Sequence, residues 1–408
     1  MKKNYLLFLL FCTSLGFAQI NLVGIRFVEE SNSFNMVKWN SSTPSIQEDY
    51  PLGITSYLLG SSIFNANTSA YYFRSEFQLN SFNTANNQPT VLHDETSFNS
   101  ATEIDMSNGA IYTIFPQNQI PSASNPDSPY FSVVKLNTVD NSITEIGTLT
   151  EPITAIALSE GTCYDSDTAD FYFVGYDNNA QLCIYRMNTE TTTFSYEKII
   201  LPTEDITYSL SGLYFDMQAN TMLAVKTTFD IGTELTMREI VQISPINGAF
   251  TTLYPFSDLM TIQNGSTTFD QATRSYILVT IDQNFNKNLL VYNTISNTAL
   301  NTTLPINVAE IEADNTNFST QRYALSSESF IQNEVKVYPV PSKNNITVAI
   351  GFNGNTVVSI IAADGKVCYK KGFNGQTSDI DLSAIAAGIY TLKLENKSSV
   401  ITKKIIKE

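Results

Sequence analysis

The chain has little of what most catalytic and nucleic-acid-binding proteins rely on. Its 408 residues include one histidine, one tryptophan and four cysteines, and only 15% of them are charged. The single His93 excludes any multi-histidine metal site and leaves one imidazole for acid–base work in the whole chain. Basic residues are scarce too, 23 Lys and Arg against 39 Asp and Glu, for a formal charge of −16. Neutralising a phosphate backbone takes clustered cations, so nucleic acid is excluded as a partner. Long helical periodicity is also missing. What is present is 43% apolar and 12% aromatic residues, enough for a large core, in a chain longer than one ordinary domain.

Both ends read as addresses. Residues 1–18 carry Lys2 and Lys3, an apolar run from Tyr5 to Leu15, then Gly16-Phe17-Ala18, the pattern of a cleavable export signal. The run is shorter than the roughly 20 residues a membrane span needs. Cleavage after Ala18 leaves Gln19 first, and no integral membrane segment is expected in the mature form. At the other end the charge changes sign. Residues 19–330 hold 11 basic against 33 acidic residues, a formal −22, whereas residues 331–408 hold 10 against 6. Two different units are therefore joined, residues 19–325 and 335–408, with a linker over 326–334. The basic unit reads as a small β-sandwich, with β-rich runs at Val335–Tyr338, Ile346–Ile350, Val357–Ile361, Val367–Lys371 and Tyr390–Leu394 and a hairpin signal at Asp364-Gly365.

Three motifs in this unit resemble those of a known family. Val337-Tyr338-Pro339-Val340-Pro341 resembles the Tyr-Pro-Asn-Pro opening of the type A C-terminal sorting domain of the Bacteroidetes type IX secretion system, with Val340 in place of Asn. Asp381-Leu382-Ser383 followed by Gly388-Ile389-Tyr390 resembles that family's second motif, and Lys403-Lys404-Ile405-Ile406-Lys407 its basic, apolar end. The resemblance implies engagement of the type IX secretion machinery, removal of the domain, and a secreted or cell-surface destination.

The acidic body is a repeat of β-rich runs. One unit is an apolar residue, then Asp or Asn, then a β-run that begins six residues after it: Asn65 and Tyr71, Asp105 and Ile111, Asp165 and Phe171, Asp216 and Met222, Asp270 and Tyr276. Four residues before each Asp or Asn stands a small residue, Ser61, Ala101, Gly161, Gly212 or Ser266, which suits strands crowding towards an axis. A second unit, apolar then Asn or Ser then a turn, centres on Asn40, Asn83, Asn137, Asn188, Ser244 and Asn293 at spacings of 43, 54, 51, 56 and 49. That period matches a four-stranded propeller blade of roughly 40–50 residues. The copy at Trp39-Asn40 has no first unit before it, and a degenerate first unit, Ile311 to Asp314 running towards Tyr323, has no second unit after it. The fold expected is all-β: a six-bladed β-propeller whose last blade is shared between the termini, plus the small C-terminal β-sandwich sorting domain. Leu22–Val28 and Phe318–Leu325 compete for one slot in the shared blade. Tandem β-sandwiches are the alternative, but they do not explain the fixed gap.

Chemical signals are few. His93 is expected in the solvated connection between the first and second blades. Asp165, Asp167 and Asp170 space oxygens as calcium loops do, although Asp165 is also the repeated turn residue, and no other cofactor is implied. Asp167-Thr168-Ala169 also resembles a short O-glycosylation pattern of Bacteroidetes. Cys163 and Cys183 are expected on the first and third strands of one sheet, roughly 9–10 Å apart at a strand spacing of about 4.8 Å, too far to bridge. Trp39 is expected in the core. These residues favour a non-enzymatic binding or adhesion module for an extracellular glycan or protein. The alternative is an extracellular polysaccharide hydrolase or lyase using paired carboxylates, which needs no histidine.

Overall fold

Each β-run that follows a repeated turn residue becomes the second strand of an antiparallel sheet. The computed structural model describes residues 19–320 and 335–408, except 76–77, 95–100, 117–129, 154, 157–159, 205–206, 231, 234, 257–259, 351–354, 363–365, 376 and 396–399. The export signal, Tyr323, the expected domain boundary and the linker lie outside the described residues. Two compact units divide at Thr320 and Gln321.

In the first unit β1 (Asn21–Val28), β2 (Ser33–Asn40) and β3 (Thr43–Ile54) open the chain. Blade 1 is β4 (Ile63–Asn65), β5 (Ala70–Ser75), β6 (Gln78–Asn83) and β7 (Gln88–Asp94). Blade 2 is β8 (Thr102–Ile104), β9 (Ile111–Pro116), β10 (Phe131–Leu136) and β11 (Ile143–Thr148). In blade 3, β12 (Ala155–Ile156) and β13 (Thr162–Asp165) share the inner edge of β14 (Asp170–Tyr176), followed by β15 (Leu182–Asn188) and β16 (Tyr196–Ile200). Blade 4 is β17 (Tyr208–Asp216), β18 (Thr221–Asp230), β19 (Leu235–Ile243) and β20 (Phe250–Pro255). Blade 5 is β21 (Thr261–Asp270), β22 (Ser275–Ile281), β23 (Lys287–Asn293) and β24 (Thr298–Thr303).

β25 (Val308–Ala313) then returns to pair with β1, so the sixth sheet runs β25-β1-β2-β3 and joins the two ends of the body. Leu22–Val28 fills the disputed slot: Leu22 pairs with Ala313 and Ile25 with Glu310. The competing segment is no strand where described, because the chain turns through a single 3-10 turn at Asn315–Asn317 instead. The innermost strands β4, β8, β13, β17, β21 and β25 follow one another around an axis, and β25 is again beside β4. The body is a closed six-bladed β-propeller.

Alternation along the strands explains why the blades stack. On β14, Phe171 and Phe173 face blade 2, in a cluster with Tyr112, Ile114 and Val133, while Tyr172 and Val174 face blade 4, with Phe215, Met222 and Val241. Both faces of a blade are therefore apolar and need a neighbour. Trp39, 1% exposed, packs from the closing blade onto Ile277, Val279 and Val291 of blade 5. On the other side Val23, Ile25 and Met36 meet Phe64, Tyr71 and Phe73 of blade 1. Cys163 faces blade 4 and Cys183 faces blade 2, so the two free thiols lie on opposite faces of one sheet.

The repeated Asp or Asn closes the turn after the inner strand. Its side-chain oxygen accepts a backbone N–H two or three residues on: Asn67 to Asn65, Ser107 to Asp105, Asp167 to Asp165, Ala219 to Asp216 and Thr273 to Asp270. Four residues beyond it the backbone is left-handed each time, at Ser69, Gly109, Ala169, Asn220 and Arg274. Crowding at the axis accounts for the small residues. At Gly212, with φ of +60°, an added Cβ would lie 2.3 Å from the Tyr276 hydroxyl. Gly24 meets the same limit in the closing blade, where a Cβ would lie 2.2 Å from the Glu310 carbonyl and 3.1 Å from the Trp39 ring.

The second unit is a β-sandwich. One sheet is β26 (Val335–Tyr338), β27 (Asn345–Ile350) and β30 (Thr377–Asp381); the other is β29 (Val367–Asn374), β28 (Asn355–Ile361), β31 (Gly388–Glu395) and β32 (Val400–Lys407). Its core includes Ile346, Val348, Val358, Ile360, Ile380, Leu392 and Ile405. β30 was not apparent from the sequence, because Ile380 is its one buried large apolar side chain. The hairpin signal at Asp364-Gly365 lies outside the described residues.

Replacing Trp39 by Ala should cost about 3–5 kcal/mol, the usual penalty for emptying a large aromatic site. Gly24→Ala should destabilise the body by at least ~1–3 kcal/mol through overpacking. Urea unfolding of both variants checks this, and midpoints unchanged from the parent would mean the closing blade is not packed as described.

Candidate functional site

Antiparallel blades place their connections at two unlike ends. Turns after first and third strands form one end and are short and repeated; connections after second and fourth strands form the other and differ from blade to blade. Between the two ends, on the axis, lies a cavity of about 90 Å³. Its wall includes Gly60, Glu160 and Gly265 from the loop end, and Gln271 and Asn315 at the turn end. Those two amides knit the turn end together. Gln271 donates to the Phe215 carbonyl and its N–H to the Asn315 side chain, which donates to the Phe269 carbonyl.

Four glutamates line this cavity, Glu103 on β8, Glu160 just before β13, and Glu310 and Glu312 on β25. Hydroxyls and backbone amides of neighbouring blades donate to them. Thr162 donates to Glu103 at 2.7 Å and Thr267 to Glu160 at 2.8 Å. The Ser62 N–H donates to Glu310 at 3.0 Å, while the Ser62 and Thr268 hydroxyls each donate to Glu312 at 3.2 Å. Glu103 retains some accessible surface but sits deep on the axis, where burial pushes its carboxyl up to about 8. Burial also raises Glu160, and raises Glu310 and Glu312 well above the ordinary range, each of the latter two further opposed by a neighbouring glutamate. The Cys163 thiol, also on the wall, is pushed up by burial and by Glu103. Burial thus favours the protonated form of each of these carboxyls.

None of these glutamates was singled out in the sequence. The available signal was Glu310-Ile311-Glu312, acids alternating in an inner strand, and Glu103 two residues before a turn Asp. The residues that were singled out lie elsewhere. His93 is not in a loop but on β7, the outermost strand of blade 1, where it pairs with Leu79 and its Nε2 is 2.9 Å from the Thr138 carbonyl. Asp165 accepts the Asp167 N–H and, at 2.6 Å, the Thr168 hydroxyl. Asp170 is held by Arg186 at 2.6 Å and by Asn188 at 2.9 Å. Among the described residues no group of three or more His, Cys, Asp or Glu is placed to hold a metal ion.

In the C-terminal domain the three motifs converge. Tyr338, the last residue of β26, and Pro339, Val340 and Pro341 form an exposed stretch, and the next residue, Ser342, donates its N–H to the Ile406 carbonyl and accepts the Glu408 N–H. Asp381 ends β30 and accepts the Ser383 N–H at 2.8 Å, and bonds from the Ser383 hydroxyl and N–H hold its carboxyl below the usual range. Leu382 is buried, with its N–H on the Asn344 carbonyl. Gly388 and Tyr390 open β31, and the Tyr390 hydroxyl donates to Ala386. β32, which carries Lys403, Lys404 and Lys407, is an edge strand.

The propeller fold and the C-terminal motifs together define the class, an exported protein in which a propeller is joined to a sorting module. Residues 336–408 match the family described as the secretion system C-terminal sorting domain, so this part of the chain is a type IX sorting domain and the protein is exported to the cell surface or secreted. No curated protein matches the sequence. Among solved structures, TolB from Acinetobacter baumannii is similar, with a TM-score of 0.52 at 10% identity over 72% of this chain. The match spans 66% of the TolB chain, just under two thirds of it, and the likeness is one of fold alone. A quinonprotein alcohol dehydrogenase-like protein from Bacteroides thetaiotaomicron has a TM-score of 0.40 at 10% identity, over 74% of this chain and 70% of that one. Among the described residues no helix is long and apolar enough to cross a membrane.

Two predictions follow from the acids. Glu103 ionises near 4.5 when unfolded and near 8 when folded, so the stability it contributes is present below about pH 4.5 and is lost as pH rises through 8. Glu103→Gln should flatten the pH dependence of urea unfolding in that window by up to about 1.4 kcal/mol per pH unit; parallel profiles would contradict the shift. Asp165→Ala should cost about 1–2 kcal/mol with or without calcium, because the Asp167 N–H loses its acceptor and the Thr168 hydroxyl keeps only Asp170, whereas Asp167→Ala should stay within about 0.5 kcal/mol. A saturable, calcium-specific stabilisation that disappears only in Asp167→Ala would assign this loop to calcium.

Proposed function

We propose that the exported propeller is a non-enzymatic binding or adhesion module, and that its loop end engages an extracellular protein. The observation that carries this reading is the asymmetry of the two ends. At the turn end, exposed apolar residues occupy equivalent repeat positions, Val139, Ile246 and Ile295, on three different blades, as scattered surface residues do. At the loop end they are not repeated. Leu58 and Leu59 are adjacent between β3 and β4, Leu235 and Met237 share one face of the β18–β19 hairpin, Phe229 lies on its other face, and Phe285 stands exposed between β22 and β23. Variable loops on a rigid ring are where recognition is usually placed.

A protein suits this surface better than a glycan. Sugar binding usually stacks on exposed Tyr or Trp, and among the described residues of the body none is exposed. The hydrolase alternative draws on the axial glutamates, but a cavity of about 90 Å³ is far below the roughly 300–1,000 Å³ of ordinary ligand pockets. The secreted chain should therefore be retained by partner-bearing cell-surface fractions, with retention weakened at least ~10-fold by combined Leu235→Ser and Met237→Ser. Ile246→Ser with Ile295→Ser should leave it unchanged. Retention on a polysaccharide panel would make the ligand a glycan, and release of shortened products would make the protein an enzyme.

A further inference from the structure

The acids of the axis lack the partners that other buried acids of this protein have. Asp216 is met by Arg274 at 2.9 Å and Asp170 by Arg186 at 2.6 Å. Among the described residues lining the cavity there are four glutamates and no lysine, arginine or histidine. Serine and threonine donors satisfy part of this demand. Glu310 is the exception: it is 2% exposed, its carboxyl takes the backbone N–H groups of Ser62 and Gly60, and its Oε2 completes no hydrogen bond although the residue lines the cavity. An unpaired polar atom in such a place is unfavourable unless something fills the site.

We propose that the axial cavity binds a primary ammonium group, held by Glu310 and Glu312 on β25 with Glu103 and Glu160 completing the wall. Size and donor chemistry select this ligand. About 90 Å³ has room for an ammonium on a short alkyl stem. Ammonium brings three N–H donors to acceptors spread around a wall, whereas a divalent cation needs several oxygens converging on one point at about 2.0–2.6 Å. No such convergent group exists among the described residues. Ile63, Ile104 and Leu213 on the same wall suit the stem.

Binding is linked to protons. Burial favours the protonated form of these carboxyls, so a cation that stabilises a carboxylate here displaces a proton to solvent. The other titrating groups on the wall are Cys163, Tyr164 and Tyr214, with Tyr71 and Tyr276 on the adjoining strands. Burial raises Cys163, Tyr214, Tyr71 and Tyr276 well above their usual ranges, so these four stay neutral. This site is separate from the loop-end surface, and neither reading depends on the other.

Calorimetry of the full chain with methylammonium chloride between about pH 6 and 8, in buffers of different ionisation enthalpy, tests the proposal. The expected result is saturable binding with about one proton released per cation and affinity rising up to ~10-fold per pH unit. Tetramethylammonium, which has the charge but no N–H, should give no saturable heat. Glu310→Gln should weaken binding at least ~10-fold with its thermal transition retained, because its side-chain carbonyl still accepts from Ser62. Should that variant fail to fold, Glu312→Gln reads the same loss. The proposal is overturned by the absence of saturable binding up to about 10 mM, by equal binding of tetramethylammonium, by methylammonium binding undiminished in the folded variant, or by calcium binding with proton release where methylammonium gives none.

Discussion

Everything in the body depends on a geometric demand: each blade is apolar on both faces and so cannot end without a neighbour. An open stack would leave one face of its first blade and one face of its last in water, along with unpaired strand edges. Pairing β25 with β1 removes both problems at once. It sets Trp39 and Leu22 against blade 5 and Val23 and Ile25 against blade 1. The order of the repeat, with a second unit left over at the N-terminus and a first unit at the C-terminus, follows from where the chain is cut in that circle.

Closure has a cost at the axis, where six strands must fit around a narrow channel. Side chains there are small or absent where backbones meet, as at Gly24 and Gly212, and hydroxyls of one blade reach carboxyls of another. The resulting wall is polar but one-sided, since it gathers acids without bases. Burial, and at Glu310 and Glu312 a neighbouring glutamate, raise these carboxyls above their usual range. The turn end is tied by amide bonds from Gln271 and Asn315, while the loop end carries the connections that vary.

The C-terminal domain solves a separate problem. Its motifs lie far apart in sequence but meet through backbone bonds, Ser342 with Ile406 and Glu408, and Leu382 with Asn344. The result joins an exposed Tyr-Pro-Val-Pro stretch to a lysine-bearing edge strand. Its positive charge contrasts with the acidic body, so the machinery that reads it meets a surface unlike that of its cargo.

The sequence by itself determined the all-β class, the blade period, the turn residues and the sorting motifs, because turn chemistry and strand alternation are local and each copy confirms the others. It also separated Cys163 from Cys183, although the decisive reason, their opposite faces on one sheet, came from packing. It misplaced His93, since a strand that continues to Asp94 has no local signal distinguishing it from a connection. Only the tertiary structure decided that Leu22–Val28 takes the shared slot, and only it gathered Glu103, Glu160, Glu310 and Glu312 around one cavity. These residues lie on three different blades, and their common property is distance from water, which is set by the closed ring and by no neighbour in sequence.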